Sequence, residues 1–371
     1  MSPTNELDPP ARLLLGPGPS PVHPRVMRAM AAPVLGHLDP ALLTMLGETR
    51  ALLRDVFETE NELTLAVSGT GMAGMEAVLG TVLEPGDRLI VCVAGFFGGR
   101  IAELAARMGV AVTTIEKPWG EVFEPEEVRA ALRAHEPKAV AIVHAETSSG
   151  ALQPMEGLGE IARWHGALLI ADCVTSLGGM PVRLDAWGID AAYSGSQKCL
   201  GSPPGMAPVS LSARVREAMK AHRRPSHAWY LDLDLLERYW GGDHAYHHTI
   251  SAPLVYALRE GLRLVAEEGL EARYERHRQN AELLWTGLDA LGLKLHVPAA
   301  RRLPSLTTVC VPEGVDEAQV RVRLREVYGI EIGAGLGPLK GQVWRIGLMG
   351  YGSQVSNVTL LLSALCEVLG R

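Results

Sequence analysis

Leu168-Leu169-Ile170-Ala171-Asp172 and the turn Ser194-Gly195-Ser196-Gln197-Lys198, whose lysine stands 26 positions beyond that aspartate, decide how this chain is read. A short apolar run ending in Asp is the pattern of a strand buried on both faces, with its carboxylate emerging at the carboxyl edge. A lysine in a Gly/Ser-rich turn soon afterwards suits pyridoxal 5'-phosphate. The amine forms a Schiff base with the cofactor aldehyde, and the aspartate keeps the pyridine nitrogen protonated so that the ring accepts electrons. Lys198 and Asp172 are therefore the candidate catalytic residues.

Working outward, apolar runs at 63–67, 88–93, 110–115, 139–143 and 167–171 alternate with helix-period segments at 72–83, 99–108, 125–135 and 156–165. Such alternation predicts crossover units and a mostly parallel α/β sheet. A helix over 41–57 precedes it. After Lys198 the pattern loosens, with a strand at 206–211 and helices at 249–268 and 271–291. Strands near 293–297, 306–311 and 343–348, with helices at 316–327 and 355–369, then predict a smaller α+β unit. A chain of 371 residues exceeds the usual size of a single core. The expected organisation is a proline-rich arm over 1–24, a large domain over 25–270 and a small domain over 271–371.

Hydrophobic content of 47% with 21% charged residues is ordinary for a soluble enzyme. A net charge of −7 argues against a nucleic-acid or anionic-membrane partner, though not against an anionic substrate in a locally basic pocket. The five cysteines have no CxxC pair and no metal spacing, and read as small buried hydrophobes in a reducing compartment. Residues 1–10 lack the marks of a secretory signal, and no apolar stretch reaches membrane-spanning length, so a cytoplasmic enzyme is expected.

Five further stretches carry candidate site chemistry. Residues 63–67 run into Ser68-Gly69-Thr70-Gly71-Met72, a strand entering a helix through a glycine turn. Taken alone this is a tight turn. Beside Lys198 and Asp172 it becomes an anion cradle, with free amides, the positive helix end and the Thr70 hydroxyl as donors. Phe96-Phe97 follows the next strand, and Phe97 by spacing could stack on a ring face or simply pack in the core. In His144-Ala145-Glu146-Thr147-Ser148, Thr147 or Ser148 could bond ring substituents, while His144 and Glu146 could form a structural pair. Tyr246-His247-His248-Thr249 is too compact for a zinc site. Tyr246 and Thr249 could bind phosphate through their hydroxyls, and Thr249 could cap a helix. Arg345, among apolar residues in Val343-Trp344-Arg345-Ile346-Gly347, needs an anion: either a substrate carboxylate held in a two-point clamp or an internal ion pair.

Together these stretches resemble the class V aminotransferases, most closely the alanine–glyoxylate (serine–pyruvate) aminotransferase family. The likeness runs in order through Leu13-Leu14-Leu15-Gly16-Pro17-Gly18-Pro19-Ser20, Ser68-Gly69-Thr70-Gly71, Leu83-Glu84-Pro85-Gly86-Asp87 and Ser176-Leu177-Gly178-Gly179. It continues through Tyr193 to Lys198, Pro203-Pro204-Gly205, Tyr246-His247-His248-Thr249-Ile250 and Arg345-Ile346-Gly347-Leu348. The resemblance implies a fold type I enzyme of the aspartate-aminotransferase kind, working as a homodimer with shared active sites. It implies Lys198 as the Schiff-base lysine, Asp172 as the ring-nitrogen partner, Thr147 as a ring contact and Thr70, Gly71, Met72 and Gln197 on the phosphate side. It also implies Tyr246 and Thr249 reaching the neighbouring subunit's phosphate, and Arg345 clamping the substrate carboxylate with help from backbone near Gly18. Phe97 and Met72 stand where animal members have Trp and His; Phe keeps a π-face, whereas Met72 offers only its backbone N–H.

The implied reaction is a ping-pong transfer of an amino group from alanine or serine to glyoxylate or pyruvate. A 2-aminoethylphosphonate transaminase would not need Arg345 for a carboxylate at Cα. A cysteine desulfurase needs a cysteine on a mobile loop, and Cys310 lies in a strand pattern. A regulator of this fold would need an attached DNA-binding segment, for which the chain has no expected room.

Overall fold

The alternating runs form a seven-stranded sheet in a computed structural model that describes residues 7–222, 226 and 228–371. Residues 1–6 of the expected arm lie outside the described part. Across the sheet the strands are Leu63–Ser68, Met206–Leu211, Ala191–Tyr193, Leu168–Asp172, Ala139–Val143, Arg88–Val93 and Ala111–Glu116. The last five are mutually parallel, whereas Met206–Leu211 is antiparallel to both of its neighbours. The reason is the connection: no crossover helix separates Tyr193 from Met206, so the chain doubles back beside its own strand. Lys198 sits in that reversal.

Helices Gly71–Val82, Phe96–Arg107, Pro125–His135 and Leu158–Trp164 connect the parallel strands. Central strands are buried along both faces, which is why their sequences read as continuous apolar runs. Helix Pro40–Phe57 starts at Asp39, whose side chain accepts the Ala41 amide at 2.8 Å, with Pro40 in the first turn. It buries Leu42, Leu46, Leu53 and Phe57 against the sheet's core. A second core gathers Leu15, Leu284, Leu288, Trp344, Ile346 and Leu361 around a three-stranded antiparallel sheet with Val343–Gly347 at its centre.

Two expectations need correction. The run at 293–297 pairs through a single bridge, Leu295 to Val309, because Pro298 has no N–H with which to extend the ladder. The helix expected from 249 begins at Ala252, with Ser251 as its N-cap. Starting earlier would push Pro253 past the first turn, where its ring and missing N–H are not tolerated. Thr249 therefore caps nothing; it is exposed in the segment before the helix.

Candidate active site

Strand ends and one helix start converge on a cavity of about 120 Å³ at the carboxyl edge of the parallel strands. Asp172 ends its strand directly beside Tyr193, which ends the next. The Tyr193 hydroxyl donates to Asp172 Oδ2 at 2.9 Å, and the Val174 amide donates to Oδ1 at 2.9 Å. Burial pushes the Asp172 carboxyl up to about 7 against these donors, which favour the charged form.

Lys198 is 9% exposed, and burial pushes its ammonium down to about 8, with the Arg345 charge adding to the fall. Its Nζ donates to the Pro17 carbonyl, and its own carbonyl accepts from Ser20 Oγ at 2.8 Å and the Gly201 amide at 3.0 Å. Gly18 lies against the lysine: its φ of +107° suits glycine, and a Cβ there would stand 2.6 Å from Lys198 Nζ. The arm's Pro17-Gly18 and the turn bearing Lys198 are thereby fixed to each other.

Across the cavity, helix Gly71–Val82 begins with Thr70 as an N-cap whose side chain makes no capping bond. The first turn-forming bond is donated by Ala73, so the Gly71 and Met72 amides remain available to an anion. Gly71 is packed so closely that a Cβ would come within 2.8 Å of Val174. Met72 is 39% exposed at the rim and lines the cavity. Phe97 lines it too, whereas Phe96 turns away under the Arg100 guanidinium, 5.0 Å from the ring centroid.

The alternatives in the 144–148 stretch resolve by contact. Thr147 lines the cavity. Ser148 is occupied elsewhere, donating from Oγ to Glu146 at 2.6 Å and accepting from the Phe96 amide. His144 and Glu146 do not form the expected pair. Glu146 accepts from Ser148 and the Phe97 amide, while His144 stands edge-on to Trp187 with its Nδ1 unpartnered. Gln197 lines the wall, and its buried Oε1 also has no partner.

Arg345 is 7% exposed and forms no ion pair within 4.0 Å among the described residues, so the internal salt bridge is not what holds it. Its Nε donates to the Ala334 carbonyl at 2.6 Å and its Nη1 to the Thr147 carbonyl at 3.1 Å. These two bonds fix the guanidinium plane while spending no anion on it, and burial lowers its basicity to about 10. Tyr246, 59% exposed, and Thr249 do not line this cavity within their own chain. Cys310 lies within a strand opposite Val343, not on a loop.

Sequence reasoning missed Tyr193 as the donor to Asp172, together with Val174 and Thr175 in the wall. Only the pairing of two strands that are distant in sequence places the phenol beside the carboxylate. As a whole the cavity offers an anion cradle, a buried carboxylate, a buried amine and one aromatic face, with the fixed Arg345 guanidinium behind its wall at Thr147.

The pattern of the aminotransferase class-V family matches residues 14–352. The chain is 42% identical over 389 residues to the (S)-ureidoglycine–glyoxylate transaminase of Bacillus subtilis (strain 168), covering 100% of this chain and 94% of that protein. It is 43% identical to the alanine–glyoxylate aminotransferase of Callithrix jacchus, covering 97% and 88%. Among solved structures, the alanine–glyoxylate aminotransferase of Nostoc sp. superposes with a TM-score of 0.97 at 54% identity, covering 98% of this chain and 97% of that one. The chain belongs to the class V aminotransferases, on the fold type I scaffold.

Proposed function

We propose that this class V aminotransferase uses pyridoxal 5'-phosphate to move an amino group from a small amino acid, alanine or serine, to glyoxylate or pyruvate. The observation that carries the reading is the convergence of Lys198, Asp172 and the Gly71 and Met72 amides on one cavity beside Phe97. The residues fit the cofactor. Thr70, Gly71, Met72 and Gln197 would hold its phosphate, Asp172 its ring nitrogen, Thr147 and Phe97 its ring, and Lys198 its aldehyde carbon. When bound, the cofactor supplies an electrophilic carbon and a ring that accepts electrons.

The chain's own groups do the rest. Asp172, near neutrality in this buried site, ionises when a cationic ring nitrogen lies against it, since an opposite charge favours the carboxylate. Lys198, lowered to about 8, is partly neutral at physiological pH, so Nζ can take the proton from the substrate Cα and later return it. Arg345, already held by two carbonyls, presents its remaining N–H groups to the substrate carboxylate. Among the described residues Lys198 is the one cationic side chain in the cavity lining, with Arg345 bonded to the Thr147 carbonyl of its wall, which favours monocarboxylic side chains over dicarboxylic ones.

Both named kinds of relative act with glyoxylate by their descriptions, which favours glyoxylate as acceptor. The 54% identity to the Nostoc protein favours alanine over ureidoglycine as donor. We also propose a homodimer in which Tyr246 and Thr249 of the partner subunit complete the phosphate end. Their exposure, and a lining of their own cavity that includes neither, support this. Visible absorbance with added cofactor, followed by a panel of amino donors against glyoxylate and pyruvate, tests the reading. A best rate with 2-aminoethylphosphonate, or no chromophore at all, overturns it.

A further inference from the structure

Tyr246 and Thr249 face outward, but the two histidines between them face inward and are buried. His247 Nε2 lies 3.0 Å from the Trp229 carbonyl, and its Nδ1 lies 2.9 Å from His248 Nδ1. His248 Nε2 lies 2.7 Å from Ser68 Oγ. The Trp229 indole stacks on the His247 ring at 4.3 Å and 11°, and the Tyr230 and Tyr239 rings pack against His248 at 5.0 and 5.8 Å. Ring contacts and hydrogen bonds together orient both imidazoles.

Donor chemistry then orders the whole chain of bonds. A carbonyl only accepts, so His247 Nε2 carries a proton and donates to Trp229. With both rings uncharged, His247 Nδ1 must accept from His248 Nδ1–H. His248 Nε2 is left without a proton and accepts from the Ser68 hydroxyl. Burial, with His247 and His37 close by, lowers His248 to about 4, in keeping with an uncharged ring at neutral pH.

The two ends of this relay are chemically unlike. Ser68 closes its strand and leads directly into Gly69, Thr70 and Gly71, the turn that opens the anion cradle. The other end sits inside the segment whose flanking hydroxyls point away from the chain. We infer that His248 is a positioning residue, which grips Ser68 and His247 at once and so fixes the anion cradle relative to the segment bearing Tyr246 and Thr249. It touches no reacting atom. Its effect falls on how tightly the phosphate is held, and the inference rests on the cofactor reading above.

Two substitutions cut the relay at different bonds. In His248→Asn the amide nitrogen replaces Nδ1 as donor to His247, and Ser68 loses its acceptor. In His248→Gln the amide oxygen replaces Nε2 as acceptor for Ser68, and the bond to His247 is lost. Ser68→Ala removes one hydroxyl at the first bond and leaves both imidazoles in place, so it tests that bond without disturbing their packing. The measurement is the dissociation constant of pyridoxal 5'-phosphate and of phosphate-free pyridoxal for the full chain, read from the lysine-bound chromophore. Ser68→Ala and His248→Asn should each weaken the phosphorylated cofactor about tenfold and pyridoxal less than about twofold, the scale of one hydrogen bond to a constrained group. The two losses should not add when combined, and any loss in His248→Gln should likewise fail to add with that of Tyr246→Phe. Equal weakening of both ligands, or unchanged affinity in Ser68→Ala and His248→Asn, overturns the positioning role alone. Wild-type protein that forms no chromophore with either ligand overturns the cofactor reading and this inference with it.

Discussion

Replacing Tyr193 by Phe removes one oxygen and leaves the ring in place, so it isolates the phenol's bond to Asp172. That bond is 2.9 Å long and lies between two buried groups. Among the described residues the carboxylate has one other donor, the Val174 amide. A hydrogen bond to a charged acceptor is worth about 1.5–3 kcal/mol. At 1.36 kcal/mol per pKa unit, losing it raises the Asp172 pKa by about 1–2 units. The starting value is about 7. Below its pKa the group is a neutral acid, and above it a carboxylate able to pair with a cationic ring nitrogen. Loss of the donor therefore moves the acid limb of cofactor binding upward by about 1–2 pH units. At pH 7.5 the variant's affinity should fall by about threefold to twenty-fivefold, and at pH 9 it should come within about twofold of wild type. The assay is a cofactor titration of apoprotein at several pH values, followed by visible absorbance. A uniform loss at every pH would mean that the phenol matters only for packing. An unchanged profile would mean that Asp172 does not bind the ring nitrogen.

The remaining predictions address the other anchors. Lys198→Ala should abolish the pH-dependent visible absorbance of the lysine-bound cofactor and nearly all turnover; normal multiple turnover would sink the assignment. Asp172→Asn should lower the single-turnover rate with alanine by far more than about tenfold, or 1.4 kcal/mol of barrier. The same apoprotein should unfold at higher temperature than wild type at pH 8 and not at pH 4, because a raised carboxyl pKa gives stability that is lost as pH rises through about 7. Arg345→Lys should raise the half-saturating concentration of both amino and keto substrates about tenfold or more, leaving the cofactor spectrum unchanged, since one ammonium cannot both keep the carbonyl contacts and fork a carboxylate. Mixing Lys198→Ala protein with Tyr246→Ala/Thr249→Ala protein should restore activity toward half of one wild-type dimer, and confirmed mixed dimers without recovery would refute the shared site.

Much of this site can be read from the chain because its groups break a local pattern. Asp172 ends an apolar strand, Lys198 stands in a Gly/Ser turn, and Arg345 interrupts a buried run; each is a charge where burial is costly without a partner. The glycines of Ser68-Gly69-Thr70-Gly71 likewise mark a strand-to-helix turn by their own backbone freedom. Such signals are local, so a single sequence carries them, together with the alternation that makes the sheet.

What the tertiary structure alone decided are the relations between segments distant along the chain. The pairing of Asp172 with Tyr193 depends on which residues of two strands lie abreast, and the Ser68–His248–His247 relay joins residues 180 positions apart. The choice of Thr147 over Ser148 and of Phe97 over Phe96 depended on Glu146 and Arg100 claiming the other member of each pair. Even the late start of the helix at Ala252, though caused by Pro253, left Tyr246 and Thr249 free only once His247 and His248 were drawn into the core. Periodicity and residue type fix which groups must be satisfied; only the packed chain assigns each one its partner, because hydrogen bonds and charges act over a few ångströms of space whatever the distance in sequence.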